Sequence, residues 1–320
     1  MKTIFRILGI LLGSLVVLLL IGATFIHFRG IPKYPVNAPE VKVELDSARI
    51  ARGEHLAAMV CANCHRGDDG ALSGRKLFDI PKMFGEIHSA NITQHPVKGI
   101  GSYTDGELVY LLRTGIKRNG QYSPTYMPKF VHMSDEDIYS VIAYLRSDAP
   151  AVQAADKATV PCKPSLFTKF LTMTPAFKPF PMPEKPIEAP DRSDEVAYGK
   201  YIVHGAVECY SCHSADFTKI NTMEPEKSLG YMGGGNTLLD PEGNPVLSAN
   251  ITMHPENGIG NWTLTQFTQA IRTGQRPDGK PLSEAMPKFT VLTDEEISAM
   301  WAFMKTIPVS DNKVKRTWEQ

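Results

Sequence analysis

The chain is short of cysteine and of net charge, and each shortage excludes a class of protein. Five cysteines in 320 residues are too few for a disulfide scaffold, and an odd count leaves at least one without a mate in the chain. Lysine plus arginine number 34 and aspartate plus glutamate number 34, so no global basic field draws the chain to nucleic acid. Convincing runs of alternating apolar and polar residues are also missing, which leaves little for strands. What is present is a folding composition, 42% hydrophobic and 21% charged, with 24 prolines and 25 glycines that imply many loops. The length suits about two domains.

From Ile7 to Ile26 run 20 residues without a charge. As a helix this stretch is about 30 Å long, the thickness of a hydrocarbon core. Lys2 and Arg6 precede it and favour a cytoplasmic N-terminus, with everything after about residue 30 exported. The rival is a cleaved signal peptide, whose apolar region is normally shorter and ends at a small-x-small site. The exit here reads Ala23-Thr24-Phe25-Ile26-His27, so an uncleaved anchor over residues 1–30 is expected.

The remainder repeats itself. Ser89-Ala90-Asn91-Ile92-Thr93 returns as Ser248-Ala249-Asn250-Ile251-Thr252, an offset of 159. Gly99-Ile100-Gly101, Arg113-Thr114-Gly115 and Met127-Pro128-Lys129-Phe130 return at the same offset. Cys61-Ala62-Asn63-Cys64-His65 pairs with Cys209-Tyr210-Ser211-Cys212-His213 at an offset of 148. The second copy thus holds about 11 extra residues around Gly233–Gly235, which read as a loop. Residues 150–190 contain nine prolines, too many for a helix or central strand, and read as a semi-rigid connector or surface strap. The expected organisation is an anchor at 1–30, units at 31–149 and 193–320, and a connector at 150–192.

Each unit reads as all-α. Thr104-x-x-Glu107, Thr263-x-x-Gln266 and Thr293-x-x-Glu296 are capping boxes. Ser134-x-x-Asp137 resembles one, with aspartate in place of glutamate. Ile138, Val141, Ile142 and Leu145 fall at helical spacing, as do Ile297, Met300, Trp301 and Met304. Further helices are expected to begin near Asp46 and Ser193 and to run into the cysteine motifs.

Cys-x-x-Cys-His is the motif that carries chemistry. Thiols at i and i+3 lie on one side of a helical turn, where they can bond the two vinyl groups of one haem, and the next histidine reaches the iron. Composition alone predicts about 0.002 chance matches from five cysteines and nine histidines, and the chain has two. A zinc site wants four ligands per unit, a thioredoxin-like motif wants a βαβ setting, and two disulfides leave the histidines unexplained. Two covalently bound haem c groups are therefore expected, on Cys61, Cys64, Cys209 and Cys212, with His65 and His213 as axial ligands. Met127 and Met286, each in the repeated Met-Pro-Lys-Phe, are the expected sixth ligands. Met83, Met133, Met232 and Met253 have no equivalent repeated position. His95 and His254 do repeat and are the bis-histidine rival.

These motifs resemble the class I cytochrome c fold, duplicated, over residues 46–149 and 193–310. In that family a glycine of the first helix crosses an aromatic residue of the last; Gly53 with Tyr144 and Gly199 with Phe303 fit. The run from Asn-Ile-Thr to Met-Pro is similar to the cytochrome subunits that accept electrons from periplasmic alcohol and aldehyde dehydrogenases. Those carry three haem modules and this chain has two motifs. The resemblance implies that Tyr103, Arg113, Trp262 and Arg272 approach the haem propionates. It also implies a single-pass protein of the bacterial cytoplasmic membrane, its haem domains on the periplasmic side, passing single electrons between donor and acceptor redox proteins. The rival class is a dihaem enzyme, a peroxidase or a thiosulfate dehydrogenase, and the spare Cys162 gives the second its foothold. Residues 194–310 hold 14 acids and 8 bases, against 12 of each in 46–149, so an acidic face that steers a basic partner is a further expectation.

Overall fold

The computed structural model describes residues 2–174 and 177–315; Met1 of the anchor, Pro175 and Ala176 of the connector and the last five residues of the second unit lie outside the described residues. Among the described residues, helix is the main regular structure. After the long α1 (Lys2–Arg29) come α2 (Ser47–Val60), α3 (Ala62–His65), α4 (Asp105–Thr114) and α5 (Asp135–Leu145). The connector holds α6 (Leu166–Leu171), and then follow α7 (Glu195–Tyr201), α8 (Cys209–His213), α9 (Leu264–Thr273) and α10 (Asp294–Met304). An all-α expectation is too strict, because two antiparallel ribbons are present. One joins β1 (Gly85–Glu86) to β2 (Lys163–Pro164), and the other joins β3 (Thr237–Leu239) to β4 (Pro245–Leu247).

Local sequence explains most helix ends. Thr104, Thr263 and Thr293 form full capping boxes, and Asp46 and Asp194 cap α2 and α7. Gly115 and Gly274 close α4 and α9 in the left-handed region at φ 80° and 76°. Ser134 makes only half a box. Asp137 bonds Arg52 instead of reaching back, and the Tyr201 hydroxyl accepts the Ser134 N–H at 3.0 Å in its place.

The same crossing recurs in both copies. α2 packs on α5 and α7 on α10, with Gly53 over Ser140 and Tyr144 and Gly199 over Ala299 and Phe303. A Cβ at Gly53 would overlap the Ser140 carbonyl and stand 2.9 Å from Tyr144 Cβ; at Gly199 it would overlap Ala299 and stand 2.9 Å from Phe303 Cβ. The second copy has ten residues from this glycine to its cysteine where the first has eight. The surplus is absorbed by a π-helical turn over Ile202–Ala206 and by Glu208 in the left-handed region at φ 53°. Both copies share one contiguous apolar core, which runs from Val43 to Ile307.

Two expectations are corrected here. The extra residues of the second copy fall between His213 and Asn236, since Arg75 and Asn236 each donate their N–H to the equivalent Ser89 and Ser248 hydroxyls, and they carry 3₁₀ turns over Phe217–Lys219 and Pro225–Lys227 rather than a plain loop. The connector is more than a strap. β2 extends β1, and α6 fits the proline-free interval between Pro164 and Pro175, packing Phe167 and Leu171 on Phe84 and Phe177.

Candidate haem site

Cys61 closes α2 with its N–H on the Ala57 carbonyl, and α3 then carries Cys64 and His65. All three side chains lie on the wall of one cavity of about 460 Å³, together with Met127. Most of the remaining wall is apolar, including Val60, Leu77, Ile100, Leu108, Leu112 and Phe130. Burial pushes the Cys61 thiol up to about 12 and Cys64 to about 11, so both are held protonated rather than poised as thiolates. In the second copy burial pushes Cys209 up to about 12 and Cys212 in the same direction. No two of the five cysteines are joined in a disulfide, and among the described residues no three His, Cys, Asp or Glu side chains converge as a metal cage.

The histidines are oriented from behind. His65 Nδ1 donates to the Ala90 carbonyl at 2.7 Å, and His213 Nδ1 donates to the Ala249 carbonyl at 2.8 Å. A carbonyl only accepts, so Nδ1 carries the hydrogen and Nε2 keeps its lone pair. Burial lowers the pKa of both imidazoles, which keeps them neutral and able to ligate. The sequence Ser-Ala-Asn-Ile-Thr supplies these carbonyls and holds them in place. Asn91 donates to the carbonyls of Ala155 and Lys157, and its amide oxygen accepts from the Thr93 N–H and hydroxyl. Asn250 bonds Ser310, Asn312 and Thr252 in the same pattern. Each repeat thus clips the segment that leaves its own last helix.

Met127 and Met286 occupy the same turn, with their N–H groups on the carbonyls of Pro124 and Ser283. Phe130 and Phe289 then fasten that segment by N–H bonds to Leu112 of α4 and Ile271 of α9. Lys129, missed by the sequence reading although it repeats, is buried at 3% exposure and donates to the Pro124 and Met127 carbonyls, both at 2.6 Å. Its counterpart Lys288 is exposed.

The remaining predicted residues fall elsewhere. Arg113 is not on the cavity wall. Its guanidinium bonds the Phe130 and Met133 carbonyls and Asp135, and Arg272 likewise bonds Leu292 and Asp294 at the equivalent places. Both arginines tie the end of the methionine segment to the next helix. Tyr103 lies under the Arg118 guanidinium at 5.2 Å, and Tyr103 and Trp262 take equivalent turns, with N–H groups on Ile100 and Ile259. His95 and His254 each accept two backbone N–H bonds at Nδ1 and face Asp156 and Asp311 through Nε2, so they brace turns. Met133 and Met232 are fully buried core. Cys162 reaches the cavity wall beside Tyr126, its thiol donating to the His88 carbonyl at 3.2 Å. Its distance in sequence from the motif hid this.

Residues 48–145 match the family model described as cytochrome c oxidase, cbb3-type, subunit III. The chain is similar to the fructose dehydrogenase cytochrome subunit of Gluconobacter japonicus, at 29% identity over 81% of this chain and 52% of that protein. It is similar to the cytochrome c subunit of alcohol dehydrogenase (quinone) of Gluconacetobacter polyoxogenes, at 28% over 83% of this chain and 57% of that protein. A protein of Cereibacter sphaeroides named diheme cytochrome c-type is 25% identical over 86% of this chain and 91% of its own length. The chain therefore spans about half the length of the two dehydrogenase subunits.

Proposed function

With residues 48–145 forming a cytochrome c domain, which implies covalently bound haem c, we propose that the chain is a membrane-anchored dihaem electron carrier. In this reading 31–149 and 193–320 are tandem class I cytochrome c domains behind one span, α1. The observation that carries it is the repetition of the whole tie: His65 to Ala90 and His213 to Ala249, each followed by the same methionine turn. That repetition supports a second haem on Cys209, Cys212, His213 and Met286, beside one on Cys61, Cys64, His65 and Met127. A haem c with histidine and methionine axial ligands supplies reversible one-electron exchange and leaves no open position for a substrate.

The protein's own residues set the conditions for that exchange. The alanine carbonyls fix each imidazole's tautomer and strengthen it as a donor. The apolar wall keeps water out, and the clamped methionine segment resists rearrangement as charge changes. Tyr103 and Trp262 stand as the propionate-side residues, while Arg113 and Arg272 act by positioning. The names of the relatives support a dehydrogenase-type donor and a second redox protein as acceptor, and the acidic second domain suits a basic partner. Lys2 and Arg6 before the apolar run favour haem domains on the periplasmic face of a bacterial cytoplasmic membrane.

The test uses protein from cells competent in haem attachment. Pyridine haemochrome should give two haems per chain, and peptide maps should show Cys61, Cys64, Cys209 and Cys212 all modified. Met127→Ala and Met286→Ala should each remove about half of the methionine–iron charge-transfer band without changing haem content. One haem per chain, or high-spin iron in the parent protein, overturns the reading.

A second reading, a dihaem enzyme, draws on Cys162 in the cavity wall. Its thiol is engaged with both backbone groups of His88, at 3.2 and 3.4 Å, which favours a structural role. Turnover of thiosulfate or peroxide that is lost in Cys162→Ala would establish the enzyme instead.

A further inference from the structure

An apolar face stands beside α1 with none of the described residues covering it. Leu166, Phe170 and Met173 are 44%, 48% and 41% exposed, and their spacing of i, i+4, i+7 puts them on one side of α6 and the turn after it. The opposite side is anchored, since Phe167 and Leu171 pack on Phe84 and Phe177 and the Thr168 hydroxyl donates to the Phe84 carbonyl at 2.7 Å. α6 is therefore rigidly held in an orientation that turns three large apolar side chains outward.

Its depth is set by α1. Along that helix only Gly22, Ala23 and Ile26 are partly covered, α6 is the element packed there, and Lys169 Nζ donates to the His27 carbonyl at 3.1 Å. The charge-free run ends at Ile26, so Gly22 to Ile26 is its outermost turn, about 6 Å of helix. A segment packed on that turn lies where hydrocarbon gives way to headgroups. The charges agree: Arg29 and Lys33 follow the span and Lys169 stands on α6 itself, while Lys163 is already paired with Glu86. Basic side chains at that depth complement an anionic leaflet.

Resting on the reading of α1 as a membrane span, we propose that α6 with Met173 is a second membrane contact, lying in the headgroup–acyl boundary of the bilayer that α1 crosses. It holds the first haem cavity against the membrane surface. Ile31, two residues past α1, and Pro161, Cys162 and Pro164, just before α6, all line that cavity.

The test places full-length holoprotein in nanodiscs of phosphatidylcholine and phosphatidylglycerol doped with a phospholipid bearing a photoactivatable acyl chain, and maps lipid adducts by mass spectrometry. Adducts are expected on residues 166–173 as well as on α1. Leu166→Ser/Phe170→Ser/Met173→Ser should lower the former roughly tenfold or more and leave those on α1 and the haem spectrum unchanged. The single variant Phe170→Ser should give a smaller loss in the same place. Adducts on α1 with none on 166–173 in the parent overturn the contact while leaving the span intact. So does a parent particle of dimer mass that the triple variant returns to monomer, since a second copy then covers the face. No adducts on α1 overturns the span and the contact together.

Discussion

At the scale of single residues the informative contrast is Lys129 against Lys288, the same letter in the same repeated motif. Burial pushes Lys129 down to about 7, partly offset by the charge of Glu208, yet its ammonium still fastens the Met127 turn through two carbonyls. Lys129→Met keeps the apolar stem and removes both bonds, leaving two buried acceptors. It should cost roughly 2–3 kcal/mol in urea unfolding and weaken the methionine–iron band. Lys288→Met, at an exposed position, should stay within about 0.5 kcal/mol. Equal losses in the two variants would show that the lysine acts through something other than those carbonyls. The sequence made the attachment motifs legible because covalent chemistry fixes their spacing. It hid the histidine partners, since Ala90 and Ala249 act through backbone carbonyls that any residue would offer.

At the scale of elements, the helix crossing tests how closely the two copies are built alike. Gly53→Ala places a methyl group on the Ser140 carbonyl and against Tyr144, and main chain yields less readily than a side chain. A loss of roughly 3 kcal/mol or more is expected, with Gly199→Ala similar, read as a drop in the thermal midpoint of the holoprotein. A Gly53→Ala protein that melts with the parent would show that α2 and α5 can part without penalty. This crossing was legible only through the resemblance to class I cytochromes c, which picks out the two glycine–aromatic pairs, whereas the capping boxes were legible from their spacing. Other elements depended on context. The six residues of α6 are too few to show a period, and neighbouring prolines mask them. The π-helical turn at Ile202–Ala206 has no composition of its own; it reflects a difference in residue count between the copies. Asp137 has the look of a weak cap and is in fact the carboxylate that receives Arg52.

At the scale of the whole molecule a polar cluster joins the two units, beside a separate bond from His132 to the Thr222 carbonyl, and Glu296 in that cluster titrates. Arg52 of α2 bonds Asp137 of α5 at 2.8 Å and Glu296 of α10 at 3.1 Å, and His55 bonds Glu296 at 2.8 Å. Tyr201 of α7 donates to Asp137 at 2.7 Å, closing the loop between units. Burial by itself would raise Glu296, but the His55 hydrogen bond, the Thr293 N–H and the nearby Arg52 hold it down to about 2. A carboxyl whose folded pKa is depressed adds stability that is complete above its ordinary value of 4.5 and is lost as pH falls from there toward about 2. The depression corresponds to roughly 3 kcal/mol. Glu296→Gln removes that contribution at neutral pH and flattens the acid limb, so parent and variant should converge in urea midpoint as pH drops from 5 toward 2. Because the cluster joins the units, its protonation should also separate their unfolding, with calorimetry of the parent below about pH 2 showing two transitions where neutral pH shows one. A variant whose acid limb superimposes on the parent's would mean that the shared apolar core alone holds the units together, and that Arg52, His55 and Glu296 are a neutralised surface with no part in the coupling.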